Sequence, residues 1–280
     1  MATRMRDALM RELDALRFEP TQKRIRGQLA GETVIDSARA MLVWEPRRVV
    51  PTYAVPGADL AVELLPVLRR DPADTTSVGV APMGAPQLLG QRVLDPSVPF
   101  AVRTTDGEPL TIRAAGSVLE GAAFRPTDPA LADYIIVDFD ALDAWYEEEE
   151  RNVGHPRDPF HAIDIVHSSR RVRVEHDGTV LAESTRPHLL FEPPLPIRYY
   201  LPAEDVRTDL LQPSPTRSVC AYKGQASYWS LPAVDDIAWS YPQPLRQTAE
   251  IAGRVTFFNE RVDITVDGVA LERPVTPWST

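Results

Sequence analysis

Residues near position 220 have the types and spacing of a binding or catalytic site. The run at 219–229, VCAYKGQASYW, is predicted to form two short strands joined across Gly224. Its aromatic rings can stack on a planar group, and the Lys223 ammonium can contact an anion or a carbonyl. The sequence therefore predicts a ligand site in this half of the chain. The candidate ligand-binding residues are Tyr200, Cys220, Tyr222, Lys223, Tyr228, Trp229, Trp239 and Tyr241.

The alternative interpretation is that these aromatic residues pack a small β core and that Lys223 lies on a turn. In an extended strand, Cys220 and Tyr222 share one face and Lys223 points to the other, unless the turn at Gly224 rotates it. A nucleophilic Cys220 would need a nearby base, and no histidine is adjacent to it in the sequence. A buried core cysteine is therefore favoured, and no catalytic residue is assigned.

Three histidines, His155, His161 and His167, are evenly spaced, which is a spacing worth testing for metal binding. No helix places them on one face, however, so neither a metal site nor a cofactor is predicted. The single cysteine also excludes an internal disulfide framework and a zinc site built from several cysteines. The acidic run at 147–150 is expected to be a solvated surface.

A second set of residues has the types used in nucleotidyl transfer, which requires carboxylates that hold Mg²⁺. Asp138 and Asp140 alternate and would lie on one strand face, after Gly116-Ser117. The spacing is long, and the corresponding residues in the second half are Phe257-Phe258-Asn259. The pair is therefore interpreted as a chance similarity.

Composition narrows the class of protein. The chain has 280 residues, 44% of them hydrophobic and 25% charged, with a formal net charge of −10. This charge argues against non-specific nucleic-acid binding, which needs clustered cations. Apolar runs are too short to span a bilayer, and the first residues lack a signal-peptide core. We expect a cytoplasmic protein with a small planar or anionic ligand, no nucleic-acid or membrane partner, and an oligomeric state left open.

The sequence contains an internal repeat, because residues 23–60 recur at 170–206. The aligned identities are Arg24, Arg26, Gly31, Ser37, Arg39, Leu42, Glu45 and Pro46 with Arg171, Arg173, Gly178, Ser184, Arg186, Leu189, Glu192 and Pro193. We interpret this as two copies of one domain. The first copy lacks the cysteine, the Lys-Gly pair and the Tyr-Trp pair of the run near 220, so a site is expected only in the second copy.

Period-two patterns predict a mainly β fold with short strands. Asp177-Gly178 predicts a hairpin turn, and Ala30-Gly31 is its equivalent. A second hairpin is predicted at 253–269, with its turn near 259–260. The predicted organisation is an N-terminal helix at 1–19, a degenerate copy at 20–146, a linker at 147–168 and a second copy at 169–280.

The second copy resembles a bacterial family known as DUF427, a domain of unknown function. The resemblance is carried by Tyr-Tyr-Leu-Pro at 199–202, Cys-Ala-Tyr-Lys-Gly at 220–224, Ala-Ser-Tyr-Trp at 226–229 and Trp-Ser-Tyr-Pro at 239–242. It covers 170–270 closely and 23–146 loosely. It implies a β-tent fold of the Mss4-like kind, with antiparallel sheets leaning over a pocket. A nucleotidyltransferase label is attached to the family, without a settled reaction.

Three functions are consistent with these observations. The favoured one is a binding module that holds a small, partly aromatic ligand in the second copy. The second is an enzyme acting on a nucleotide or related anion through Lys223 and the surrounding tyrosines. The third is a structural or interaction protein in which the aromatic residues are core.

Overall fold

The protein is built from antiparallel β-sheets in two compact units. The computed structural model describes residues 2–67, 87–88, 91–94, 98–193, 195–276 and 278–279. One unit contains Met1–Pro86 and Gln91–Asp158, and the other contains Gln87–Gly90 and Pro159–Thr280. The predicted mainly β fold class is confirmed. Within the described part of the chain, no helix has both the length and the apolar character needed to cross a membrane.

The strands up to Asn152 are short and are named in chain order. They are β1 (Arg17–Pro20), β2 (Ile25–Leu29), β3 (Glu32–Ser37), β4 (Met41–Trp44), β5 (Thr52–Pro56), β6 (Glu63–Pro66), β7 (Gln87–Leu88), β8 (Gln91–Arg92), β9 (Gly107–Ala114), β10 (Ser117–Pro126), β11 (Tyr134–Val137), β12 (Ala144–Glu147) and β13 (Glu150–Asn152). The one described α-helix, α1, comprises Met5–Met10.

The strands from Asp164 onward continue this numbering. They are β14 (Asp164–His167), β15 (Val172–His176), β16 (Thr179–Ser184), β17 (His188–Phe191), β18 (Arg198–Pro202), β19 (Gln212–Cys220), β20 (Gly224–Leu231), β21 (Val234–Ser240), β22 (Arg254–Phe257), β23 (Asp263–Val266) and β24 (Val269–Ala270).

Each unit contains a seven-stranded and a four-stranded sheet. The first unit has the orders β1-β4-β5-β11-β10-β9-β6 and β13-β12-β2-β3. The second has β14-β17-β18-β22-β21-β20-β19 and β24-β23-β15-β16. When β1 to β6 are matched with β14 to β19, and β9 to β13 with β20 to β24, the strand orders of the two units are the same.

Two apolar clusters lie on the two faces of each larger sheet. In the second unit, one cluster includes Leu201, Ala238 and residues of the smaller sheet such as Val172, so it forms the core between the sheets. The other includes Tyr200 and Trp239. Tyr200 and Leu201 on β18, and Ala238 and Trp239 on β21, fall into different clusters because side chains alternate across a strand. This alternation decides which aromatic residues can meet.

One of the two hairpins predicted for the second unit is confirmed, and the other is wrong. Asp177 and Gly178 have φ of 48° and 75° between β15 and β16, which confirms that turn. Both residues of such a two-residue turn need positive φ, and glycine adopts it without strain. The second predicted hairpin, at 253–269, is wrong, because β22 and β23 belong to different sheets. The actual turn there is Asp267-Gly268, between β23 and β24.

The predicted N-terminal helix and linker also require correction. The helix is restricted to Met5–Met10, and residues 17–20 form an edge strand that pairs with β4. The linker predicted at 147–168 instead contributes β13 to one unit and β14 to the other. Glu147 is buried rather than solvated, since it accepts hydrogen bonds from the Tyr53 hydroxyl at 2.7 Å and the Lys23 ammonium at 2.7 Å.

One hydrogen-bonded arrangement occurs in both units. The Ser37 hydroxyl donates to Asp59 at 2.6 Å, and the Arg39 guanidinium donates to the same carboxylate at 2.6 Å. In the second unit, Ser184 donates to Asp205 at 2.6 Å and Arg186 donates to it at 2.9 Å. The serine and arginine of each arrangement are among the residues that the internal repeat aligns.

Candidate functional site

The second unit carries an aromatic cluster on the face of its larger sheet that lies away from the core. Tyr200 (β18), Trp239 (β21), Tyr241 and Phe258 are buried there. Tyr228, on β20, lies directly opposite Trp239. The Trp239 and Phe258 rings are 4.3 Å apart between centroids. We call this group the aromatic cluster. Its members are Leu190, Tyr200, Ala226, Trp239, Tyr241, Ile251 and Phe258, with half-buried Cys220 and Tyr228 packed against them.

Polar atoms are concentrated in the aromatic cluster. The Trp239 indole N–H donates to the Tyr200 hydroxyl. Burial raises the pKa of Tyr200 and of Tyr241 well above the ordinary value, and it also raises the pKa of Tyr228. The Cys220 thiol and Tyr228 both pack against the cluster that holds Tyr200 and Tyr241. The phenols are therefore neutral hydrogen-bonding groups around one thiol.

The buried members of the equivalent cluster in the first unit are aliphatic except for Phe124, and the half-buried Tyr134 packs against them. These buried members are Val43, Ala54, Phe124, Leu131 and Ile136. Since β5 and β18 each have five residues and end in proline, Ala54 stands in the place of Tyr200. Phe124 pairs with the third residue of β11 and Trp239 with the third residue of β22, so these two aromatic residues correspond. Among the residues that the structure describes, buried polar aromatic groups therefore occupy this face in the second unit and not in the first.

Trp229 does not join the other candidate ligand-binding residues. It packs against the core between the two sheets, on the opposite face of β20 from Tyr228. In the first unit, the residue equivalent to Trp229 is Leu110, because Leu110 pairs with Ala123 in the way that Trp229 pairs with Ala238. Leu110 is a core residue. We therefore assign Trp229 to the core.

Tyr222 and Lys223 lie in the turn between β19 and β20, so the alternation of an extended strand does not apply to them and the turn at Gly224 sets their direction. The Lys223 ammonium donates to both carboxylate oxygens of Glu192, at 2.6 and 2.5 Å. His161 Nε2 lies 3.0 Å from Glu192 Oε1, and the His161 ring stacks on Tyr222 with centroids 4.4 Å apart. Gly224 has a φ of 93°, and this turn directs both side chains to Glu192 and His161.

Glu192 is held as a carboxylate. Burial works to raise its pKa, but bonds from His161 and Lys223 outweigh that effect, and the pKa of Glu192 lies below its ordinary value. Lys223 itself is buried and engaged by Glu192. An anionic ligand would therefore have to compete with Glu192 for this ammonium.

The first unit contains an equivalent buried ion pair. Glu45, which the internal repeat aligns with Glu192, accepts from Arg103 at 3.0 Å and from the Thr104 backbone N–H at 2.7 Å. In both units the cation comes from the loop preceding the equivalent strand, β9 or β20. The first copy lacks the Lys-Gly pair but retains a cation at this place, and the shared ion pair indicates that Lys223 fixes this loop.

Another buried ion pair adjoins the aromatic cluster and was not identified from the sequence. The Arg198 guanidinium donates to both oxygens of Glu260, at 2.7 and 2.8 Å, and the Thr276 hydroxyl donates to Glu260 at 2.7 Å. Arg198 also lies 5.4 Å from the centroid of the Trp239 ring. The internal repeat aligned Glu192 with Glu45, whereas no sequence pattern marked Arg198. The even spacing of three histidines marked His161, but for metal binding and not as a partner of Glu192.

The carboxylate pair of the first unit is not arranged as the sequence pattern predicted. Asp138 and Asp140 lie at a 3-10 turn after β11, not on one face of a strand. Arg103 forms an ion pair with Asp138. Burial is the main cause that raises the pKa of Asp138 to about 6. Asp138 is therefore engaged by a cation of its own unit.

The three histidines at 155, 161 and 167 have separate partners. His155 Nδ1 lies 2.7 Å from the Pro156 carbonyl oxygen, and His161 contacts Glu192. His167 Nε2 lies 3.0 Å from Glu250 Oε2 and stacks on His188. The equal sequence spacing therefore does not gather them into one group.

Comparison with known proteins finds a family match within the second unit. Residues 164–268 match the family described as Domain of unknown function (DUF427), labelled NTP_transf_9. The match begins at the first residue of β14 and ends just after β23, so it includes the whole larger sheet and three of the four strands of the smaller sheet. It confirms the resemblance predicted for this part of the chain. No curated protein matches the chain.

Proposed function

We propose that the second unit is a small-molecule-binding module of the β-tent kind, whose ligand contacts the aromatic cluster. The observation that carries this proposal is the convergence of three phenols, an indole and one thiol on one sheet face. Small-molecule sites typically combine aromatic walls with a few placed polar groups. The partly exposed residues Cys220, Tyr228 and His161 supply the accessible edge of the proposed site. A planar molecule with hydrogen-bonding groups fits this chemistry.

The contrast between the two units supports the same proposal. A sheet face that only has to be covered can be packed with aliphatic groups, as Ala54 and Leu131 pack it in the first unit. Burying phenols and an indole at the equivalent place requires partners for their polar atoms. We infer that the first unit is a second copy of the same domain without the polar groups. The matching strand orders and the paired glutamates support this inference.

In this proposal, Lys223 and Glu192 position the turn rather than bind the ligand. They hold Tyr222 against His161 at the edge of the cluster. The contrasting proposal, an enzyme acting on a nucleotide through Lys223, requires that the ammonium leave Glu192 to meet a phosphate. Mass spectrometry of each bound compound distinguishes binding from turnover, because only an enzyme changes the compound chemically.

Cys220 is the single cysteine of the sequence and is half-buried beside the phenols. We expect a bound ligand to slow alkylation of this thiol by a maleimide. The protein should be screened by thermal shift with nucleotides, planar heterocyclic compounds and amino-acid derivatives. Each stabilising compound is then tested for protection of Cys220 and, by mass spectrometry, for chemical change.

A matched pair of variants gives this test its control. Tyr228→Ala should raise the apparent Kd of a stabilising compound about tenfold. This change corresponds to the loss of one hydrogen bond and of the contact area of the ring. Tyr134→Ala, a half-buried tyrosine packed on the aliphatic cluster of the first unit, should leave the Kd unchanged. Compounds that stabilise without protecting Cys220, and equally well in Tyr228→Ala, would contradict the proposed site. Consumption of the compound would identify an enzyme instead.

A further inference from the structure

Two histidines and a glutamate form a cluster at the edge of the larger sheet of the second unit. His167, on the edge strand β14, lies directly opposite His188 on β17. Glu250 comes from the 3-10 segment Arg246–Ile251, which precedes β22. His188 is buried, whereas His167 and Glu250 are exposed to solvent. These residues belong to neither the aromatic cluster nor the Glu192–Lys223 pair.

The distances within this cluster suit a metal ion. One potential ligand atom from each side chain lies within 4.8 Å of the other two. Zinc bonds of about 2.0–2.1 Å to nitrogen and oxygen place tetrahedral ligand atoms about 3.4 Å apart. His167 Nε2 and Glu250 Oε2 are already 3.0 Å apart. The imidazole rings stack with centroids 4.0 Å apart, and the exposed His167 ring has room to turn toward a shared ion.

The buried histidine is held in the tautomer that a metal requires. His188 Nδ1 lies 3.0 Å from the backbone carbonyl oxygen of Glu250. A carbonyl oxygen only accepts, so Nδ1 carries the hydrogen and Nε2 keeps its lone pair. Metal-binding histidines are commonly oriented by such a bond from the second ring nitrogen to a carbonyl or carboxylate. The same segment that supplies Glu250 therefore also orients His188.

The first unit lacks the whole set at equivalent positions. The cross-strand pair that corresponds to His167 and His188 is Pro20 and Met41, at the same place in the strand pairing. Glu250 precedes the start of β22 by as many residues as Ala130 precedes the start of the matched strand β11. Ala130 therefore occupies the position equivalent to Glu250. If the fold itself required these side chains, both units would carry them at equivalent positions. The set occurs at these positions only in the second unit.

We propose that His167, His188 and Glu250 bind a divalent transition-metal ion of the zinc type. Two imidazoles and one carboxylate supply three ligands, and water completes the tetrahedral coordination at the exposed side. The fourth position is open to water, so the site is exchangeable and weaker than a closed four-ligand structural zinc site.

This proposal is tested with zinc alone on the full-length, chelator-treated protein. Isothermal titration calorimetry should show one zinc ion bound per chain. His167→Ala and Glu250→Gln, both at exposed positions, should each weaken zinc binding at least about tenfold. His176→Gln and Glu149→Gln change the same residue types outside the cluster, and they should bind zinc as the unmodified protein does.

Cobalt gives a second, geometric measurement. Co²⁺ at a tetrahedral site of nitrogen and oxygen ligands absorbs visible light strongly, and zinc should remove this absorption as it displaces cobalt. The spectrum should be lost in His167→Ala and retained in His176→Gln. Zinc binding with equal affinity in the unmodified protein and in both cluster variants would overturn the proposal, as would the absence of one-to-one binding.

Discussion

Replacing Lys223 with methionine is expected to lower the free energy of unfolding by about 3 kcal/mol, toward the low end of the cost of breaking a buried ion pair. The substitution removes both ammonium hydrogen bonds from Glu192. Among the described side chains, His161 then remains as the partner of this buried carboxylate. Urea unfolding measures the change. Sequence reasoning alone predicts almost no change in stability, because it places Lys223 at a ligand rather than against Glu192.

Two further variants make this expectation specific. Lys223→Met combined with Glu192→Leu replaces both charges with apolar groups, and it should recover most of the lost stability. Arg207→Met removes one partner of an exposed ion pair with Asp209, so it should cost less than about 1 kcal/mol. A Lys223→Met protein as stable as the unmodified one would show that the pair does not hold the turn.

The dependence on pH has a defined sign. The pKa of Glu192 is lower in the folded protein than in the unfolded chain, where it is about 4.3. Its ionised form therefore stabilises the fold above the unfolded-state pKa, and this stabilisation is lost as the pH falls through the folded-state pKa. In Lys223→Met, burial without the ammonium should instead raise that pKa, and stability should fall as pH rises. The deficit of the variant is therefore expected to be largest at neutral pH and to shrink near pH 4. An unchanged deficit would contradict this account.

Replacing Arg198 with methionine is the second substitution with a large expected effect, about 3–5 kcal/mol. The Glu260 side chain is 0% exposed, and it would lose both guanidinium bonds. The guanidinium also lies 5.4 Å from the Trp239 ring centroid and 5.8 Å from that of Phe258, and these favourable contacts would be lost as well. Thermal and urea unfolding measure the loss.

The control is Arg273→Met, because Arg273 forms an exposed ion pair with Asp263 in the same unit. Its cost should stay below about 1 kcal/mol. Since Arg198 lies against the aromatic cluster, Arg198→Met should also speed the alkylation of Cys220, whereas Arg273→Met should not. A change of less than 1 kcal/mol together with unaltered alkylation would contradict the role assigned to Arg198.

Local patterns in the sequence were sufficient where the physical cause is local. Period-two alternation predicted the mainly β class, and Asp177-Gly178 predicted a hairpin because the turn needs positive φ at both residues. The hairpin expected at 253–269 failed, since alternation does not reveal that β22 and β23 join different sheets. Trp229 was misassigned for a related reason, because a one-residue step along β20 moves a side chain to the other face.

The sequence by itself determined the fold class, the family match of the second unit and the polar aromatic residues of the aromatic cluster, Tyr200, Tyr228, Trp239 and Tyr241. Only the tertiary structure decided which charges meet, because ion pairs join residues that sequence spacing does not relate. Lys223 and Glu192 are 31 residues apart, and Arg198 and Glu260 are 62 apart. The set of His167, His188 and Glu250 likewise forms only because strand pairing places β14 beside β17 and packs the segment before β22 against them.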